Sequence, residues 1–207
     1  SIFMTSTIPG EGKTFISVNM ASIFAHSGKK VLLIGMDIRK PKLNEYFGIT
    51  DPKGLTDFLS AKNVSIADYI TSLKGSESFD LLLSGIIPPN PTEMLMSPKL
   101  DELFAQLKKE YDYIIVDTAP VSLVSDTLIV AKHADTFTYV VRANHLDKRM
   151  LNVPAILYKE NKLPNMAFVL NDTEVAKGYG YGSYGYGNYG YGHTELKKPW
   201  YKTLFKK

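Results

Sequence analysis

The stretch Met4-Thr5-Ser6-Thr7-Ile8-Pro9-Gly10-Glu11-Gly12-Lys13-Thr14 constrains this chain more than any other. It joins an apolar, strand-like start (Ser1–Ser6) to a helix-like run from Lys13 to Ser27 that Gly28 ends. Glycines at 10 and 12 let the intervening backbone turn so that successive N–H groups face one concavity. The helix start adds the positive end of its dipole, Lys13 adds a full charge, and the Thr14 hydroxyl is suitably placed for a magnesium ion. Pro9, Gly10, Glu11, Gly12, Lys13 and Thr14 therefore read as a phosphate cradle. The usual expression for such a loop opens with glycine; here Thr7 holds that place.

Continuous apolar runs follow at intervals. Val31–Met36 and Tyr113–Val116 read as strands buried on both faces, and Phe79–Leu83, Phe137–Val141 and Met166–Leu170 as further strands. Between them the spacing predicts helices around Pro41–Phe47, Leu55–Leu59, Ile66–Leu73, Ser97–Lys109, Val124–Lys132 and Lys148–Asn161, the last kinked at Pro154. Strands alternating with helices imply right-handed crossovers and an α/β fold, a mainly parallel sheet with helices on both faces. Two of the strands end in a carboxylate, Asp37 and Asp117, the position from which phosphate-loop proteins hold magnesium and its water shell. Loop, Asp37 and Asp117 in this order point to a nucleoside triphosphate with magnesium.

Composition narrows the surroundings. A net charge of +3 is too mild to argue for nucleic acid, and the absence of cysteine removes disulfides and zinc–thiolate sites and fits a reducing compartment. The four histidines are scattered without metal-ligand spacing. No apolar run approaches the roughly 18 residues that cross a bilayer. The sequence starts without methionine and directly in a strand, as expected of a piece of something longer.

The C-terminal part has a different grammar. From Tyr179 to His193 the chain repeats a Tyr-Gly-Tyr-Gly-X unit three times, placing Tyr179, Tyr181, Tyr184, Tyr186, Tyr189 and Tyr191 among glycines. A core has no use for such a segment, since glycine packs nothing and is costly to order. It reads either as a low-complexity tail without chemistry or as tyrosines offered as substrates. The final Leu196–Lys207, with five lysines beside Trp200, Tyr201, Leu204 and Phe205, reads as a solvated end, with an anionic membrane surface as the alternative.

Four stretches together resemble the bacterial tyrosine kinases, phosphate-loop enzymes associated with capsule and exopolysaccharide export. They are PGEGKT (Pro9–Thr14), LIGMDIRKP (Leu33–Pro41), SGIIPPNPTEMLMS (Ser84–Ser97) and YDYIIVDTAPV (Tyr111–Val121); the VVR at Val140–Arg142 and the tyrosine cluster also match. The resemblance implies the phosphate-loop nucleotidase fold shared with septum- and chromosome-partitioning ATPases. It implies a site of Walker A, A′ and B pieces, here Lys13 with Thr14, Asp37, and Asp117. On that basis Lys13 grips the β- and γ-phosphates, Thr14, Asp37 and Asp117 organise Mg2+, and Arg39 stands with the nucleotide-contacting residues. Members often carry a first aspartate two positions before Asp37, where this chain has Gly35, so Asp37 is our candidate to accept the phenol proton.

The resemblance further implies a kinase domain at 1–171 with a flexible tail at 172–207 whose six tyrosines receive the ATP γ-phosphate in trans within a homo-oligomer. A membrane-spanning polysaccharide co-polymerase or activator region, fused or separate, a cognate tyrosine phosphatase and a place on the cytoplasmic face of the bacterial inner membrane come with it. Two other readings stay open: an ATP-driven positional switch, although that group carries a lysine where this chain has Ile8, and a non-catalytic nucleotide-binding scaffold.

Overall fold

The computed structural model describes residues 1–50, 53–73 and 78–173. The tyrosine cluster and the basic end lie outside the described residues. In chain order the elements are β1 (Ile2–Ser6), α1 (Lys13–His26), β2 (Val31–Gly35), α2 (Leu43–Phe47), α3 (Leu55–Ser60), β3 (Ile70–Ser72) and β4 (Phe79–Leu82). Then follow α4 (Pro91–Leu95), α5 (Pro98–Glu110), β5 (Tyr113–Asp117), α6 (Asp126–Val130), β6 (Thr136–Arg142), α7 (Asn152–Lys159) and β7 (Ala167–Asn171).

The strands form one sheet in the order β3-β4-β2-β5-β1-β6-β7. Every pairing is parallel except β3 with β4, which is antiparallel at the edge. Because the central strands are covered on both sides, their residues are buried throughout yet alternate between two cores. On one face Phe3, Leu32, Ile34, Val116, Phe137 and Tyr139 meet Leu100, Leu103, Phe104 and Leu107 of α5, the helical stripe that the sequence spacing indicates. On the other, Met4, Leu33 and Ile115 meet Val18, Ala21 and Ala25 of α1. The α1 side toward the sheet also carries Ser17 and Ser22, so small residues let the helix sit close and bring its first turn down onto the ends of β1 and β5.

Three expectations need correction. Residues 66–73 are not a helix: a short 3-10 turn (Ile66–Tyr69), capped by the Ser65 side chain accepting from the Ala67 N–H, gives way to β3. There the β-branched Ile70 and Thr71 gain ladder bonds along β4, a gain that hydropathy alone does not reveal. Residues 124–132 hold only the five-residue α6, followed by a 3-10 turn at Ala131–His133. Residues 148–161 divide into a 3-10 turn (Lys148–Leu151) and α7, with Pro154 not inside a longer helix but in the first turn of α7, where its missing N–H costs no helical bond. α4, with Pro91 at its start, is a helix the sequence reading did not separate from its surrounding motif.

Candidate active site

Parallel strands that all run one way bring the ends of β1, β2 and β5 together, and the site is built there. The loop leaves β1 with Gly10 at φ 84° and Gly12 at φ 94°, conformations that side chains rarely adopt. Among the described residues the N–H groups of Gly10, Glu11, Gly12, Lys13 and Thr14 make no hydrogen bond, and Gly12 caps α1 without any side-chain partner. Consecutive unpaired amides at a helix start are the physical basis of anion binding. The Glu11 side chain turns under the loop, fully buried, and its carboxylate accepts from the Ile8 N–H at 2.8 Å and the Arg142 N–H at 3.4 Å. Thr7, standing where glycine is usual, is also buried; its hydroxyl lies 2.9 Å from that of Tyr139, and its carbonyl accepts from Ser122. Its side chain thus packs beneath the cradle instead of filling it.

The two carboxylates are tied to one another through backbone. The Met36 and Asp37 N–H groups both donate to the Asp117 carbonyl, at 2.8 and 3.1 Å, locking the end of β2 to the end of β5. Asp117 is only 4 % exposed. Its Oδ2 accepts from the Thr14 hydroxyl at 2.6 Å, while the buried Oδ1 has no partner among the described residues. Burial pushes the Asp117 carboxyl up to about 6, against the opposing pull of the Thr14 bond and the Lys13 charge. Asp37 is also raised by burial, offset by the Lys40 N–H it accepts at 3.0 Å and again by Lys13. Lys13 itself is 8 % exposed, a buried cation set among buried anions.

Loop, carboxylates and Lys13 line a cavity of about 770 Å3, whose outer walls include Tyr46, Pro120 and Leu123. Arg39 reaches this cavity but is already held: Nε donates to Asp126 Oδ2 at 2.6 Å, and Nη2 to Asp126 Oδ1 at 3.1 Å and to Thr92 Oγ1 at 3.0 Å. The sequence marks neither Asp126 nor Thr92 as a partner of Arg39, since they lie 87 and 53 residues from it. Ser84 was missed for a similar reason. Its hydroxyl donates to the Gly35 carbonyl at 2.9 Å, and a Cβ on Gly35 would stand 2.8 Å from that oxygen. The place of the first aspartate is therefore packed against the end of β4. The six tyrosines singled out in the sequence fall outside the described residues.

Residues 2–147 match the AAA domain family. The tyrosine-protein kinase YwqD of Bacillus subtilis is 35 % identical over 182 residues, covering 88 % of this chain and 76 % of that one. In structure, the kinase domain of the Escherichia coli tyrosine kinase ETK superposes with a TM-score of 0.77 at 29 % identity, over 89 % of this chain and 72 % of that one. The cell-division protein MinD of Aquifex aeolicus follows the same fold with a TM-score of 0.65 at 25 % identity, over 84 % and 69 % of the two chains. The chain spans about a quarter of the length of other curated relatives it matches. A phosphate-loop α/β fold, a nucleotide cradle at its strand ends and this likeness across most of the chain make it a member of the bacterial tyrosine-kinase family.

Proposed function

We propose that this chain is a protein-tyrosine kinase domain (1–171) with its own acceptor tail (172–207), transferring the γ-phosphate of Mg·ATP to Tyr179, Tyr181, Tyr184, Tyr186, Tyr189 and Tyr191 of a neighbouring copy. The observation that carries this reading is the pairing of five unbonded loop amides with an unpartnered, buried Asp117 oxygen beside Asp37. Among the described residues no three acidic, histidine or cysteine side chains gather to hold a metal by themselves. Thr14 and the two aspartates fit a magnesium ion that completes its oxygen shell with phosphate and water. Bound there, magnesium would neutralise charge on the transferring group.

The protein's own contributions are positional. The amides of Gly10 to Thr14 and Lys13 hold the phosphates; the half-buried Asp37, its pKa raised by desolvation, takes the phenol proton as the tyrosine oxygen bonds to the γ-phosphorus and the bond from that phosphorus to the bridging oxygen of ADP breaks. The loose transition state of phosphoryl transfer asks little of a base, so a carboxylate that accepts the proton late suffices. Leu123 and Tyr46 on the outer walls supply apolar surface for a phenol ring. Full occupancy of the six tyrosines would add roughly −9 to −12 charges, enough to drive tails and subunits apart.

We further place the chain on the cytoplasmic face of the bacterial inner membrane, working with a membrane-spanning polysaccharide co-polymerase or activator region and reset by a tyrosine phosphatase. YwqD and ETK are themselves named tyrosine kinases, which supports the activity. The test mixes the full chain carrying Lys13→Met with one whose six tail tyrosines are phenylalanine, in labelled Mg·ATP. Label on tyrosine of the Lys13→Met copy is the expected result. ATP turnover with no label on either copy favours a switch ATPase instead.

A further inference from the structure

Three consecutive carbonyls of the loop are bonded by side chains from one neighbouring edge of the sheet. Pro9 O lies 3.1 Å from His145 Nε2, Gly10 O accepts from Arg142 Nη1 at 3.1 Å, and Glu11 O accepts from Asn171 Nδ2 at 3.0 Å. In a trans peptide the N–H points opposite to the preceding C=O, and the described chain has no cis bond. Holding the carbonyls of residues 9, 10 and 11 toward β6 and β7 therefore turns the amides of Gly10, Glu11 and Gly12 the other way. Those are three of the five amides that lack partners. The fit is close: a Cβ on Gly12 would stand 2.1 Å from Asn171 Nδ2, so a side chain there would displace the Asn171 amide from the Glu11 carbonyl, besides being strained at that φ.

The same brace reaches the start of the tail. Arg142 Nε donates at 2.9 Å to the carboxylate of Asp172, the residue that follows β7, and the Ala143 N–H donates to the Asn171 carbonyl at 2.9 Å. We infer that Asn171, Arg142 and His145 are positioning residues that preset the phosphate-binding amides, and that Arg142 fastens the root of the tail to the phosphate loop. This rests on the proposed use of the loop for nucleotide phosphates. It adds that nucleotide affinity is set from the side of the loop facing away from Asp37 and Asp117.

The experiment uses the full chain with Asn171→Ala, Arg142→Gln and Arg142→Lys. It measures affinity for Mg·ADP, KM and kcat for Mg·ATP, the thermal midpoint without nucleotide, and NMR order parameters of the Gly10, Glu11 and Gly12 amides. Asn171→Ala is expected to weaken Mg·ADP and raise KM by tenfold or more, Arg142→Gln by at least threefold, with kcat at saturation within threefold of the parent. Arg142→Lys recovers part of the lost affinity, and the loop amides lose order in the first two variants without nucleotide. Affinities within twofold of the parent in folded variants, or kcat falling as far as affinity, overturn the inference. Should Asn171→Ala fail to fold, Arg142→Gln decides, since that side chain is 41 % exposed. If the parent binds no nucleotide, the kinase reading falls and the order parameters alone judge the brace; unchanged values refute it.

Discussion

The two flanks of the phosphate loop are built on opposite rules. Toward β6 and β7 the hydrogen bonds are made: loop carbonyls, Glu11 carboxylate, Arg142 and Asp172 all have partners. Toward β2 and β5 they are left short, with Asp117 Oδ1 buried and unbonded, two carboxyls raised by burial, and Lys13 enclosed beside them. Buried polar groups without partners cost stability, and charged ones cost more. The difference separates a flank that sets geometry from one kept ready for a charged ligand that would satisfy it. Stability given up on the second flank is what the proposed binding and transfer would draw on.

The largest effect expected to break this comparison comes from Lys13→Met, which removes the buried cation beside the two carboxylates. Label transfer to tyrosine should fall by about 10^3-fold, in the range seen when a charge-stabilising group is removed; activity within tenfold of the parent would mean that the loop is not where phosphate is held. Next comes Asp37→Asn. Transfer at saturating Mg·ATP is expected to drop by about 10^2-fold, as for loss of a general base, while Mg·ADP affinity stays within a few fold. Equal losses in both would deny Asp37 the proton-accepting part.

Asp117→Asn sharpens the comparison in the opposite direction. A carboxyl with its pKa raised from 3.8 to about 6 favours the protonated form in the fold, so its anion is a cost present above about pH 6 and relieved as pH falls toward 4. Asparagine removes the charge. The nucleotide-free protein should therefore gain about 1–3 kcal/mol at neutral pH, read as a higher thermal midpoint, while magnesium-dependent transfer is lost. A lower midpoint would show that Asp117 is already satisfied without ligand. The smallest effect belongs to Gly35→Ala, expected to destabilise by about 1–2 kcal/mol through overpacking against Ser84, with the loss reduced when Ser84→Gly is added. Additive losses in that double-mutant cycle would place the strain elsewhere.

What could be read in advance divides along the same line. The loop, Lys13, Thr14, Asp37 and Asp117 were legible because each is written locally, as glycines before a helix or as a carboxylate closing an apolar run. Six of the seven strands were legible for the same reason; β3 was not, because its three residues become a strand only when β4 offers an edge. The bonds of Arg39 to Asp126 and Thr92, of Ser84 to Gly35, and of Asn171 to Glu11 join segments 49 to 160 residues apart. Such pairs follow from strand order and register, and no single stretch of sequence encodes them. Polar residues such as Thr92, in the short α4, and Asn171, at the end of β7, are treated by hydropathy as ordinary surface.

The central claim is that a triphosphate in the loop is delivered to the tail tyrosines, and mass spectrometry tests it most directly. The intact chain and its Lys13→Met variant are each held with Mg·ATP, digested and mapped across residues 179 to 191. The account predicts phosphate on those tyrosines in the intact chain and none in the variant. Bare tyrosines in an intact chain that has bound or consumed ATP would contradict it.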